Sequence, residues 1–137
     1  MKKIIFLLFL KTFNFANSQS IIDESFINGN WLVKDAKIYQ EINKSQKEFI
    51  DFLRSTTFIF NKNHTFKIVT PKKSKVFDSF INMFKDSNWS LSVEKSEITI
   101  SDKSTKGKLM IIFIQVENNN IKFILQETKL TLDVDKI

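Results

Sequence analysis

Short strand-like segments recur along this chain, and they constrain its fold more than any other feature. In most of them apolar and polar residues alternate, which places successive side chains on opposite faces of an extended strand. Fifteen Phe residues against one Pro and two Gly also favour strands joined by short polar turns. Eight regularly spaced strands predict an antiparallel sandwich or a closed barrel. The eight segments are residues 31–39, 56–60, 65–70, 89–93, 98–100, 109–114, 121–125 and 130–134.

Two further segments show the spacing of amphipathic helices. Apolar residues three or four apart predict a helix over residues 41–54 and a second over residues 74–86. The second helix places Phe77, Phe80 and Phe84 on one face. We expect this stripe to pack onto the sheet, with a lid over a barrel mouth and docking on a membrane surface as the less favoured alternatives.

The N-terminus has the features of a cleavable secretory signal. Lys2 and Lys3 precede the apolar run 4–10, and Ala16 and Ser18 fit a small-residue cleavage site. We predict a signal peptide over residues 1–18 and a single domain over residues 19–137, located in the periplasm or secreted. An N-terminal membrane anchor is less favoured, because a span needs about 20 apolar residues and no stop-transfer segment follows.

Charge and cysteine content restrict the partners of the exported domain. Loss of Lys2, Lys3 and Lys11 with the signal lowers the formal net charge from +6 to +3. The single arginine, Arg54, is a further argument against a phosphate-reading surface, so no nucleic-acid partner is expected. The chain has no cysteine. It therefore forms no disulfide, and its stability depends on a hydrophobic core.

Three local motifs resemble those of the small exported lipocalin-like proteins of the Bacteroidetes. They are Gly29-Asn30-Trp31, Phe60-Asn61-Lys62-Asn63-His64-Thr65-Phe66 and Asn88-Trp89-Ser90-Leu91. The resemblance covers nearly the whole domain and implies an up-and-down β-barrel of about eight strands with two short helices. It also implies structural roles for Trp31, Phe60, Phe66 and Trp89. Lipocalins usually place a late-strand arginine across the first tryptophan, whereas this chain has no arginine after Arg54.

The sequence contains no recognisable catalytic or metal-binding pattern. His64 is the only histidine, and we interpret it as a turn residue because no cysteine or second histidine could complete a site. The carboxylate pairs are expected on the solvated surface, where they lack the apolar pocket that acid–base catalysis requires. We therefore expect a protein that is not an enzyme and needs no cofactor or metal. The pairs are Asp23 with Glu24, Glu94 with Glu97 and Asp133 with Asp135.

Two functions remain open for such a barrel. The lipocalin resemblance implies binding of a small apolar molecule, and Phe77, Phe80 and Phe84 are the candidate ligand-binding residues. The alternative is a packed structural or protein-interaction module of the cell envelope with no small-molecule ligand. Fold does not decide between them. A ligand site requires an apolar pocket of about 300 Å³ or more.

Overall fold

The computed structural model describes residues 22–137. The predicted signal peptide, its cleavage site and the first residues of the predicted domain lie outside this range. Within it, no helix is both long and apolar enough to cross a membrane.

Eight antiparallel strands form a closed up-and-down barrel, in which each strand pairs with the next in sequence. The last strand pairs with the first and closes the sheet, for example where Val33 lies opposite Val134. The prediction of an eight-stranded up-and-down barrel is thus confirmed. The strands are β1 Gly29–Lys37, β2 Thr57–Phe60, β3 Thr65–Val69, β4 Ser87–Ser92, β5 Glu97–Asp102, β6 Lys108–Glu117, β7 Asn120–Leu125 and β8 Thr131–Lys136.

Three helices accompany the barrel in the described range, one more than predicted: α1 Glu24–Ile27, α2 Lys44–Leu53 and α3 Lys75–Asn82. The four residues of α1 are too few to show periodicity. The other two helices are shorter than predicted. A capping box fixes the start of α2, because the Asn43 side chain accepts from the Gln46 amide at 2.8 Å and the Gln46 side chain accepts from the Asn43 amide at 3.0 Å.

Aromatic rings occupy much of the barrel interior. The alternating burial of the strands points these side chains inward, as the period of two requires. Ring centroids lie 5.2 Å apart for Trp31 and Phe123, and 5.7 Å apart for Phe60 and Trp89. The four residues given structural roles by the resemblance are all buried in this core: Trp31, Phe60, Phe66 and Trp89.

The strand order divides the connections between two ends of the barrel. The end that we call the base has α1 and the turns 61–64, 93–96 and 118–119. The opposite end, the cap end, has α2 between β1 and β2, α3 between β3 and β4, and the turns that precede β6 and β8. The two ends differ in how they are closed.

Candidate functional site

The base is closed by packing around Trp31. Its indole N–H donates to the Ile27 carbonyl at 2.7 Å, which ties the end of α1 to the first strand. The Lys136 ammonium lies 5.7 Å from the centre of the same ring and donates to the carbonyls of Ser25 and Phe26. A cation of the last strand therefore lies across the tryptophan, and it is a lysine.

His64 lies in the turn between β2 and β3 at the base. Its φ of 70° is in the left-handed region, which a histidine tolerates better than most residues. The imidazole stacks on Trp89 with 4.8 Å between ring centroids, and its Nε2 lies 3.3 Å from a Glu24 carboxylate oxygen. Among residues 22–137 no group of three or more potential metal-ligating side chains is found. These contacts hold the turn and α1 together.

Three further carboxylates, those of Asp23, Asp102 and Asp135, have structural partners. Asp23 caps α1 by accepting from the Phe26 amide, and Asp135 pairs with Lys34 at 3.2 Å. Hydrogen bonds from the backbone amides of Thr105 and Ser104 lower the pKa of Asp102 below its ordinary value. A lowered pKa favours the ionised form, which suits a turn-capping acceptor rather than a proton donor.

An ion-pair network anchors α2 to the first strand at the cap end. The Arg54 guanidinium lies 3.0 Å from the Asp35 carboxylate and 2.6 Å from that of Asp51, and it also donates to the Ala36 carbonyl. The hydrogen bond from Arg54 is the main cause of a lowered pKa at Asp35. The network therefore fixes the C-terminal end of α2 over the barrel.

The three candidate ligand-binding phenylalanines occupy different environments. Phe77 stacks on Phe52 of α2 with ring centroids 4.0 Å apart, and Phe80 meets Phe49 edge-on at 5.0 Å. Phe84 is buried, but it follows the end of α3 instead of lying on its face. The stripe was expected to pack onto the sheet. In the structure Phe77 and Phe80 pack on phenylalanines of α2, and the ring of Phe84 packs on the ring of a strand residue.

That strand residue is Phe66 of β3, whose ring centroid lies 5.7 Å from that of Phe84. Phe66 in turn contacts Phe58 at 5.7 Å inside the barrel. Aromatic contacts thus run from the two cap helices into the barrel core.

A groove of about 480 Å³, which we call the cap groove, opens between α2, the end of β1 and the turn before β8. Its apolar surface comes from Ile38, Phe49, Ile50 and Leu130. Polar side chains contribute to its lining, including Gln40, Ser45, Glu127 and Thr128.

A smaller cavity of about 130 Å³, the cap cavity, lies between α3 and the ends of β6 and β7. It shares Phe49, Glu127 and Thr128 with the cap groove. Phe80 and Phe84 line this smaller cavity, so two of the three candidate residues border a void. The larger groove was missed by sequence reasoning, because its lining combines two segments that are far apart in the sequence, residues 38–50 and 127–130. The apolar face of α2 was its only sequence signal.

Comparisons with models of known protein families, with curated proteins and with solved structures return no match. The functional argument therefore depends on the geometry and chemistry of the cap end.

Proposed function

We propose that this chain is an exported lipocalin-like barrel, without enzymatic activity, that binds a small apolar molecule in the cap groove. The observation that supports this proposal most is the size and lining of that groove. Its volume of about 480 Å³ falls within the range of ligand pockets, roughly 300–1,000 Å³. An apolar surface with a few polar groups is the usual composition of a small-molecule site.

The packing of the barrel interior explains why the ligand is placed at the cap end. The centroids of Phe58 and Phe123 lie 6.4 Å apart, and those of Phe60 and Phe123 lie 6.1 Å apart. Rings at these separations are in contact, so they occupy the space that a deeply bound ligand would need. The same observation favours the second candidate function, a packed structural or protein-interaction module that binds no small molecule.

Filling the groove from an exposed position tests the proposal without disturbing the core. Ser45 is an exposed residue near the start of α2 that lines the cap groove. The Ser45→Trp variant should lower the affinity for a dansyl-labelled fatty acid by about tenfold or more, because the indole takes up ligand space. Ser79→Trp, at an exposed serine of α3, is the matched control and should bind as the parent does.

Two results would reject ligand binding at this groove. One is the absence of saturable binding by the parent protein together with no retained adduct in native mass spectrometry of protein purified from its own periplasm. The other is equal binding by the parent and by Ser45→Trp. In the first case the packed-module function is the one that remains.

The export component of the proposal depends on the N-terminal pattern and has its own test. Ala16 and Ser18 favour cleavage before Gln19. N-terminal analysis of the exported fraction should therefore find Gln19 at the mature end, in free or cyclised form. Intact Met1 in that fraction would contradict the proposed processing.

A further inference from the structure

Large apolar side chains are exposed around the cap end. Tyr39 is 81% exposed on the connection from β1 to α2, and Val76 of α3 is 75% exposed. Met83, which follows α3, is 54% exposed and lines the cap cavity. The exposed Ile42 and Val69 belong to the same end, so the cap end carries several exposed apolar side chains.

The helix α3 lies at the surface of the cap end. None of its eight residues is buried, and its half-buried phenylalanines pack mainly on α2. Val76, Phe80 and Met83 are spaced four and three apart, and Met83 keeps helical backbone angles, so they share one side of the helix. Phe80 packs on Phe49, whereas Val76 and Met83 form the outer edge of this side and are largely exposed.

Positive charge adjoins that edge. Residues 70–77 contain Lys72, Lys73 and Lys75 and no acidic residue. The Lys72 ammonium donates to the Asp51 carbonyl, which holds this segment against the end of α2. Lys73 and Lys75 are exposed beside Val76. An anionic surface with an apolar interior would complement both features.

We propose that the cap end docks on an anionic lipid bilayer. Val76, Met83 and Tyr39 enter the headgroup region, while Lys73 and Lys75 contact lipid phosphates. An amphipathic helix with basic residues beside its apolar edge binds such an interface through burial of apolar side chains and through attraction of the basic residues to anionic lipids. Docking does not depend on the cap groove holding a ligand, but it would bring the groove to the membrane from which an apolar molecule could enter.

Sedimentation with vesicles tests this inference. The closed barrel and its core lie within residues 22–137, so the chain that begins at Gln19 is a suitable protein. It should pellet with vesicles of phosphatidylcholine that contain phosphatidylglycerol, and much less with phosphatidylcholine alone. Raising the salt concentration should release it, because surface charge is screened.

Paired variants separate the charged contribution from the apolar one. Removing both lysines (Lys73→Gln with Lys75→Gln) should weaken partitioning by about fivefold for each lysine. Val76→Ser with Met83→Ser should weaken it on the same vesicles by a factor that salt does not change. All four positions are exposed, so thermal melting should show folds as stable as the parent.

Matched controls use exposed residues at the base. Val93→Ser with Val116→Ser, and Lys62→Gln with Lys95→Gln, should pellet as the parent does. The inference is wrong if the parent does not pellet, if the base variants lose as much binding as the cap variants, or if neutral vesicles bind equally well. Binding to polyglutamate without binding to vesicles would also reject it, in favour of an acidic protein surface.

Discussion

Truncation of Trp31 is the sharpest test of how the base of the barrel is closed. This side chain is fully buried between Phe26 and Phe123, with ring centroids 5.6 Å and 5.2 Å away. A buried aromatic side chain removes about 200 Å² from water, and at about 25 cal/mol per Å² this contributes about 5 kcal/mol. Trp31→Ala should therefore lower the free energy of unfolding by about 3–5 kcal/mol.

A second variant separates the ring from its hydrogen bond. Trp31→Phe keeps a large aromatic ring but removes the N–H that donates to the Ile27 carbonyl. It should cost about 1–3 kcal/mol, because it leaves a buried acceptor without its donor. This variant also keeps the test informative if Trp31→Ala does not fold.

Urea unfolding followed by far-ultraviolet circular dichroism is the appropriate assay, since the variants themselves remove one of the two tryptophans and so change the fluorescence signal. Tyr39→Ala, at an exposed aromatic residue, is the control and should stay within about 0.5 kcal/mol of the parent. A loss below about 1 kcal/mol for Trp31→Ala would refute the reasoning, because it would mean that the ring is not part of the core.

Three further changes test other parts of the structure by the same unfolding assay. Gly29→Ala should cost about 1–3 kcal/mol of unfolding free energy, because φ is 128° there, a backbone conformation that residues with a Cβ atom rarely adopt; an unchanged stability would contradict this strain. Phe84→Ala should cost about 3–5 kcal/mol as a buried truncation, and a cost near zero would show that the chain after α3 is not part of the core. The hydrogen bond from Arg54 lowers the pKa of Asp35, so the ionised carboxylate stabilises the fold at neutral pH and this contribution is lost as the pH falls below about 4. Because the pair is partly exposed, Asp35→Asn should lower the free energy of unfolding by less than about 1 kcal/mol at neutral pH. The difference in stability between the variant and the parent should vanish in acid, and a difference that grows in acid would contradict the reasoning.

The sequence by itself determined the strands and their inward faces. Alternation is a local property, because adjacent side chains of an extended chain point to opposite faces whatever the strand pairs with. Where a short polar turn joins two strands, neighbours in sequence become neighbours in the sheet; the pairings β1 with β2 and β3 with β4, which span helices, and the closure of β8 on β1 were decided by the tertiary structure. The interpretation of His64 as a turn residue was local in the same way, and His64 lies in the turn between β2 and β3 with a positive φ.

The packing partners of the two cap helices and the lining of the cap groove were decided by tertiary structure. Periodicity predicted the apolar faces of α2 and α3, but a helix face has no local information about what will cover it. Phe77 and Phe80 pack on α2 because the two helices lie over the same opening. The cap groove combines Ile38 and Phe49 with Leu130, which lies far from them in the sequence.

The contact between Lys136 and Trp31 likewise depended on tertiary structure and not on local sequence. The sequence displayed the absence of a late arginine, yet it did not show that Lys136 would lie over the Trp31 ring. That contact exists because the closing strand β8 pairs with β1 and brings residue 136 opposite residue 31. Local pattern sets which way a side chain points, whereas closure of the barrel, a contact across more than a hundred residues, sets which side chain it meets.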